Sequence, residues 1–74
     1  MSGERDREMF GRNIASLRRR RGLSKAALAR KADVSRDALR QVEAGMRTAH
    51  FDSVMKLADA LEVDPGDLFV GLRP

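Results

Sequence analysis

Apolar residues return at helical spacing along most of the chain. Phe10, Ile14 and Leu17 lie three or four positions apart, which puts them on one side of a helix expected over about Met9 to Arg21. Gly22 follows directly, where a residue in the left-handed conformation commonly ends a helix. The four arginines before it, Arg18 to Arg21, occupy the end at which the helix dipole favours positive charge. Ser24 is a good N-cap for a second helix whose inner residues are Leu28, Ala29 and Ala32. Ser35 is another, opening a third helix with Leu39 and Val42 inside and Gly45 at its end. His50 or Asp52 caps a fourth, with Val54, Leu57, Ala58 and Leu61 inward. Asp64-Pro65 then pairs a cap residue with proline at the first helical position, where its missing N–H costs nothing. A short fifth helix through Leu68 and Phe69 is expected. No segment alternates with a period of two, and no Asn-Gly or Asp-Gly hairpin signal occurs. The expected fold is therefore all-α: five short helices joined by loops of two to six residues. Phe10, Ile14, Leu17, Leu23, Leu28, Val34, Leu39, Val42, Val54, Leu57, Leu61 and Leu68 should form its core.

Size and composition narrow the class. Seventy-four residues suffice for one domain, which at this size buries only ~60% of the surface its unfolded chain exposes. Residues 1–8 read as a flexible charged N-terminal tail and 9–72 as the folded domain. There is no cysteine, so neither a disulfide framework nor a thiolate metal site is available, and a reducing compartment fits. No apolar run approaches the ~18 residues of a membrane span, and the opening MSGERDREMF is too charged for a secretory signal. A soluble cytoplasmic protein is expected, without a membrane partner.

Charge is unevenly placed. Residues 1–47 hold 13 Lys/Arg against 6 Asp/Glu, net +7, whereas residues 48–74 hold 2 against 5, net −3. A basic first two-thirds joined to an acidic remainder points to one face made for a polyanion.

The middle of the chain sharpens this. In ARKADVSRDALRQVEAG only Asp33, Val34 and Ser35 separate two capped helices. Three residues suit helices crossing at a steep angle, as in a helix-turn-helix over about 24–45. Such a crossing needs a small residue, which Ala29 supplies. The turn needs tolerance of positive φ, which Asp33 has more readily than most residues. The inward positions Leu28, Ala32, Val34, Leu39 and Val42 are all apolar.

The stretch LSKAALARKADVSRDALRQVEAGMR resembles the Cro/phage-repressor-type (XRE-like) helix-turn-helix family, and VMKLADALEV followed by LF continues that family's pattern. The resemblance covers roughly Phe10 to Phe69. It implies a compact five-helix, lambda-repressor-like domain, with helices 2 and 3 as the helix-turn-helix. It also implies binding of duplex DNA as a homodimer, at a palindromic operator, to regulate transcription. The chain departs from the pattern in three places. Lys25 stands where the family usually has Gln, Asp33 replaces the turn glycine, and MRTAHF lacks the proline many members carry after the third helix. In that last respect, and in length, the chain is similar to the small stand-alone controller proteins of restriction–modification systems.

If the third helix starts at Ser35, then ~100° per residue places Asp37, Arg40, Gln41 and Ala44 opposite Leu39 and Val42, with Arg36 at the edge. The N-terminal part of such a helix enters the major groove. Arg36, Asp37, Arg40 and Gln41 are the base-contact candidates: arginine pairs with guanine O6 and N7, glutamine with adenine N6 and N7, and a carboxylate accepts from cytosine N4. Phosphate contacts are expected from Lys25, at a helix start that already favours an anion, and from Ser24, Ser35, Arg47, Arg18 and Arg19, with Arg12 a further candidate. The arginine run spreads around its helix, so only one or two members can face the backbone. Glu43 has a structural reading, an ion pair with an arginine of the first helix such as Arg18 that locks the reading helix in place. Ala29, Asp33, Val34 and Gly45 are structural as well.

A specific site usually engages two such domains one helical turn, ~34 Å, apart. The dimer surface is expected within about 50–72, through Phe51, Leu68, Phe69, Val70 and Leu72. No catalytic constellation, cofactor motif or small-molecule site is legible: the single His50 reads as a cap or surface residue, and the acids sit at helix ends where capping explains them. The alternative class is an antitoxin-type protein-binding module that neutralises a partner and autoregulates. Activation, as opposed to repression, would add RNA polymerase as a partner, through a surface that the sequence does not identify.

Overall fold

The computed structural model describes residues 3–72. Met1 and Ser2, the start of the expected tail, lie outside them, as do Arg73 and Pro74. Four α-helices follow one another: α1 (Gly3–Arg20), α2 (Lys25–Ala32), α3 (Arg36–Glu43) and α4 (Phe51–Leu61). A 3-10 helix, Pro65–Phe69, completes the order, and no strand occurs among the described residues.

Two expectations need correction. The first helix begins at Gly3, not Met9, so residues 3–8 form its opening turns. Residues 4–8 offer no inward apolar stripe, but Glu4 and Asp6 suit the positive end of the dipole. The backbone of Glu8 also lies so close to Gly45 that a methyl there would meet the Glu8 Cα at 2.9 Å. Contact with the loop after α3 extends the helix beyond its amphipathic part. The fifth helix is a five-residue 3-10 turn instead of an α-helix. Pro65 and Gly66 are poor α-formers, and a short 3-10 piece is enough to drop Leu68 into the core with no exposed surface.

All four α-helices end alike. At Gly22, Asp33, Gly45 and Glu62 the backbone turns left-handed, with φ of 69°, 57°, 75° and 61°. The next residue then donates its N–H to a carbonyl five positions back: Leu23 to Arg18, Val34 to Ala29, Met46 to Gln41 and Val63 to Ala58. This is the Schellman closure, which satisfies carbonyls that a helix end leaves unpaired. Asp33 supports the turn predicted for it. Glu62 takes the same conformation without a short side chain to ease it.

The twelve expected core residues all belong to one cluster. Nine are buried, and Leu17, Leu23 and Val34 pack partly exposed against it. Ala29, Ala32, Ala58 and Ala60 fill the places where helices approach closely. Helix α1 packs on α3 and on the 3-10 helix, α2 on α3 and α4, and α4 on the 3-10 helix. The α1–α3 contact turns on Gly11: a methyl there would fall against the carbonyl oxygen of Val42 and lie 2.6 Å from that of Glu43. Asn13 Nδ2 donates to the carbonyls of Leu68 (2.9 Å) and Val70 (2.8 Å), fastening the C-terminal segment to α1. No helix among the described residues is long and apolar enough to cross a membrane.

Candidate nucleic-acid interface

The α2–α3 unit is built by two copies of one local device. Ser24 Oγ accepts from the N–H of Ala27, and Ser35 Oγ from that of Ala38, each at 3.0 Å. Each hydroxyl still has its own proton to donate, and both serines are exposed, so capping and a phosphate contact are compatible. Asp33 and Val34 make the intervening turn, and Leu28, Ala29 and Ala32 bury the inner side of α2.

Helix α3 has one buried and one open side. Leu39 and Val42 are 1% and 5% exposed, while Arg36, Asp37 and Arg40 lie open and Gln41 is half-buried. The two buried side chains fix the rotation of the helix, and that rotation aims positions 36, 37, 40 and 41 outward together. Three of the four are joined. Arg40 Nη2 donates to Asp37 Oδ1 at 2.6 Å, and Gln41 Nε2 donates to Asp37 Oδ2 at 3.2 Å. Arg36 stands at the start of the helix, beside this group.

A second ion pair secures the back of α3. Arg18 Nε and Nη2 donate to the two carboxylate oxygens of Glu43 at 2.8 and 3.1 Å, and Arg18 Nη1 donates to the Leu23 carbonyl at 3.0 Å. Their side chains are only 10% and 5% exposed. The pair expected from the sequence is thus present, and it overturns a further expectation. Arg18 is not a phosphate-contacting arginine, because it lies buried on the α3-facing side of α1 with its donors directed into the protein.

The other cations keep their freedom to differing degrees. Lys25, at the start of α2, and Arg47, just beyond α3, are exposed, as are Arg12, Arg19 and Arg20. Arg12 and Arg19 are seven residues apart, which puts them on one side of α1 beside the Gly11–Ala15–Arg18 stripe. Arg21 is drawn elsewhere, donating through Nη2 to the Glu62 carbonyl at 3.1 Å. His50 is the exposed N-cap of α4 and makes no side-chain capping bond.

The expected dimer residues divide. Phe51 and Val70 are 79% and 62% exposed. Phe69 is 44% exposed, its ring 5.0 Å from that of Phe10. Leu72 packs half-buried against the core. Leu68 is corrected outright: with no exposed surface, it cannot reach a partner. Met55, one turn beyond Phe51 on α4, and Met46 add exposed apolar surface that sequence reading passed over. A 3.6-residue period could have found Met55. Gly11 and Asn13 were also missed. A glycine amid an amphipathic helix was the available signal for the first, and nothing local marked the second.

With this geometry in hand, comparison with known proteins is informative. The profile of the family described as helix-turn-helix domain matches residues 9–69. Among solved structures, the chain is similar to the restriction-modification controller protein C.AhdI from Aeromonas hydrophila. Identity is 36%, the TM-score is 0.84, and the match covers 86% of this chain and 97% of that one. An HTH_3-family transcriptional regulator from Vibrio cholerae aligns at 27% identity and TM-score 0.87 over 96% of this chain but only 40% of its own. The clp gene regulator ClgR from Corynebacterium glutamicum aligns at 25% and 0.82, over 86% and 68%. Curated proteins gave no significant match.

Proposed function

The chain belongs to the XRE-like helix-turn-helix domain family, and from that premise we propose that it regulates transcription by binding a palindromic operator in duplex DNA as a homodimer. The observation that carries this reading is the outer face of α3. Four polar side chains of base-reading type project from a helix whose other side is held by Leu39, Val42 and the Arg18–Glu43 pair. In this reading α2 and α3 form the helix-turn-helix, and α3 lies in the major groove with Arg36, Asp37, Arg40 and Gln41 toward the bases. Lys25 and Arg47 contact phosphates, aided by the hydroxyls of Ser24 and Ser35 and by Arg19. The similarity to a stand-alone controller protein over nearly that protein's whole length supports the regulatory role.

Size supports the dimer. The domain measures 33 × 23 × 21 Å, a size compatible with two copies side by side on half-sites one turn of DNA, ~34 Å, apart. Phe51, Phe69, Val70 and Leu72 are the surface assigned to that contact. They lie in the acidic third of the chain, where a contact does not compete with the basic face for DNA.

Selection of bound duplexes from a random pool, repeated at two salt concentrations, tests the proposal. The expected result is a palindromic consensus with half-sites one turn apart. Lys25→Ala should weaken all duplexes alike and lower the salt slope by about one. Gln41→Ala should cost ~1–3 kcal/mol, mainly at one base pair per half-site. Equal losses for both variants on every sequence would show the roles to be wrongly assigned.

A further inference from the structure

The three-residue cluster on α3 distinguishes side chains that read bases from one that arranges them. Asp37 has two carboxylate oxygens, and each accepts a hydrogen bond from a neighbour one turn on: Oδ1 from Arg40 and Oδ2 from Gln41. Resting on the proposed groove-facing role of α3, we infer that Asp37 is a positioning residue that fixes the order in which Gln41 presents its amide to DNA. A carboxylate can only accept, so the end of the amide bound to it is the nitrogen. The Gln41 carbonyl oxygen is thereby kept off Asp37 and left free for another partner.

A glutamine without this tether can rotate its amide by half a turn. It then presents oxygen and nitrogen in either order along the helix, and can match adenine from either side or offer both N–H groups to the O6 and N7 acceptors of guanine. The tethered amide spends one N–H on Asp37 and leads with its oxygen. That oxygen repels the acceptors of guanine and suits a base whose major-groove edge carries an exocyclic amino group, adenine N6 or cytosine N4. Arg40 is restrained by the same carboxylate, which withdraws one of its five donors and part of its charge from the DNA. The Arg40–Asp37 pair is exposed, at 56% and 67%, and contributes little to stability in the free protein. Loss of water on entering the groove strengthens both hydrogen bonds at the moment of recognition.

The test compares duplex selection for the parent protein, Asp37→Ala, Arg40→Ala and Gln41→Ala, with nonspecific affinity measured in parallel. Asp37 is on the surface, so far-UV circular dichroism of Asp37→Ala should match the parent. The parent should demand an amino-bearing base at the position that Gln41→Ala relaxes. Asp37→Ala should lose that discrimination, on the order of tenfold, at the positions relaxed by Arg40→Ala and Gln41→Ala and nowhere else. It should also bind unrelated duplex several-fold more tightly, because a negative charge has left the face. Loss at a separate base pair would make Asp37 a direct reader, and unchanged discrimination would make the cluster inert; either overturns the inference while the groove-facing reading of α3 stands. A parent protein that selects no sequence overturns both.

Discussion

Gly11→Ala offers the sharpest test of how the domain is packed, because two effects of opposite sign are in play. In an exposed helix interior, alanine is better than glycine by about 1 kcal/mol. At position 11 the added methyl would lie 2.6 Å from the Glu43 carbonyl oxygen, whereas ordinary van der Waals contact begins at 3.4 Å, and the Val42 carbonyl is closer still. Both obstacles are backbone, so no rotamer change relieves them, and α1 and α3 must separate by more than about 0.8 Å at this point. Overpacking costs about 1–3 kcal/mol; with two backbone obstacles inside 3 Å this site lies in the upper part of that range, about 2–3 kcal/mol, which leaves a net loss of about 1–2 kcal/mol after the propensity gain. For a domain of this size each kcal/mol corresponds to roughly 4–8 °C, so the melting temperature should fall by about 4–16 °C. Gly66→Ala is the control. Nothing lies within 4 Å of a methyl there, and the change should be neutral or stabilise by about 0.4–1 kcal/mol. Both are read by thermal melts followed at 222 nm. A Gly11→Ala melting temperature equal to or above the parent's would refute the reasoning.

Glu43→Gln removes one partner of a pair that is nearly inaccessible to water and should cost about 3–5 kcal/mol, since the Arg18 guanidinium is left buried. The parent's whole stability is on the order of 4–11 kcal/mol. Joint replacement by Arg18→Met and Glu43→Leu should recover most of the loss, and urea denaturation showing additive single losses would contradict the pairing. Glu62→Gly should raise the urea midpoint by about 1 kcal/mol equivalent, and by more than Asp33→Gly, because aspartate tolerates the left-handed conformation better. The reverse order would remove backbone strain as the cause. Phe51→Glu should leave the melting curve within ~0.5 kcal/mol of the parent's, yet shift a sedimentation profile toward monomer. An unchanged profile would mean the assigned dimer surface is wrong.

The fold was legible wherever one residue type has a short-range reason to be where it is. Ser24 and Ser35 announce helix starts and Gly22 and Gly45 announce ends. The spacing of Leu28, Leu39, Val42, Leu57 and Leu61 gives the buried sides directly. Misreadings occurred where a distant contact decides. Residues 3–8 are helical partly because they meet the loop at Gly45, which no local period records. Leu68 reads equally well as core or partner surface from its neighbours, and only the packing of α1 and α4 over it settles which. The arginine run shows the same limit within the candidate site. Arg18, Arg19, Arg20 and Arg21 are identical as letters, and only helical rotation against Glu43 and Glu62 separates the buried one, the outward pair and the one drawn to α4. The outward face of α3, by contrast, follows from two apolar residues and an angle.

The Asn13 amide joins stretches of chain 55 and 57 residues apart. Bringing such distant segments together carries a loop-closure cost that grows only with the logarithm of their separation, so the obstacle is one of order in time more than of energy. During synthesis, α1 emerges early and can pack on α3, but the cover that Leu68 and Val70 give it comes last. A polypeptide arrested before that point leaves part of the apolar side of α1 uncovered, although α3 is already in place beside it. Residues 68–70 therefore complete the core after the rest of it is in place, and an arrested product lacking them lacks the contacts that fasten both ends of the domain together.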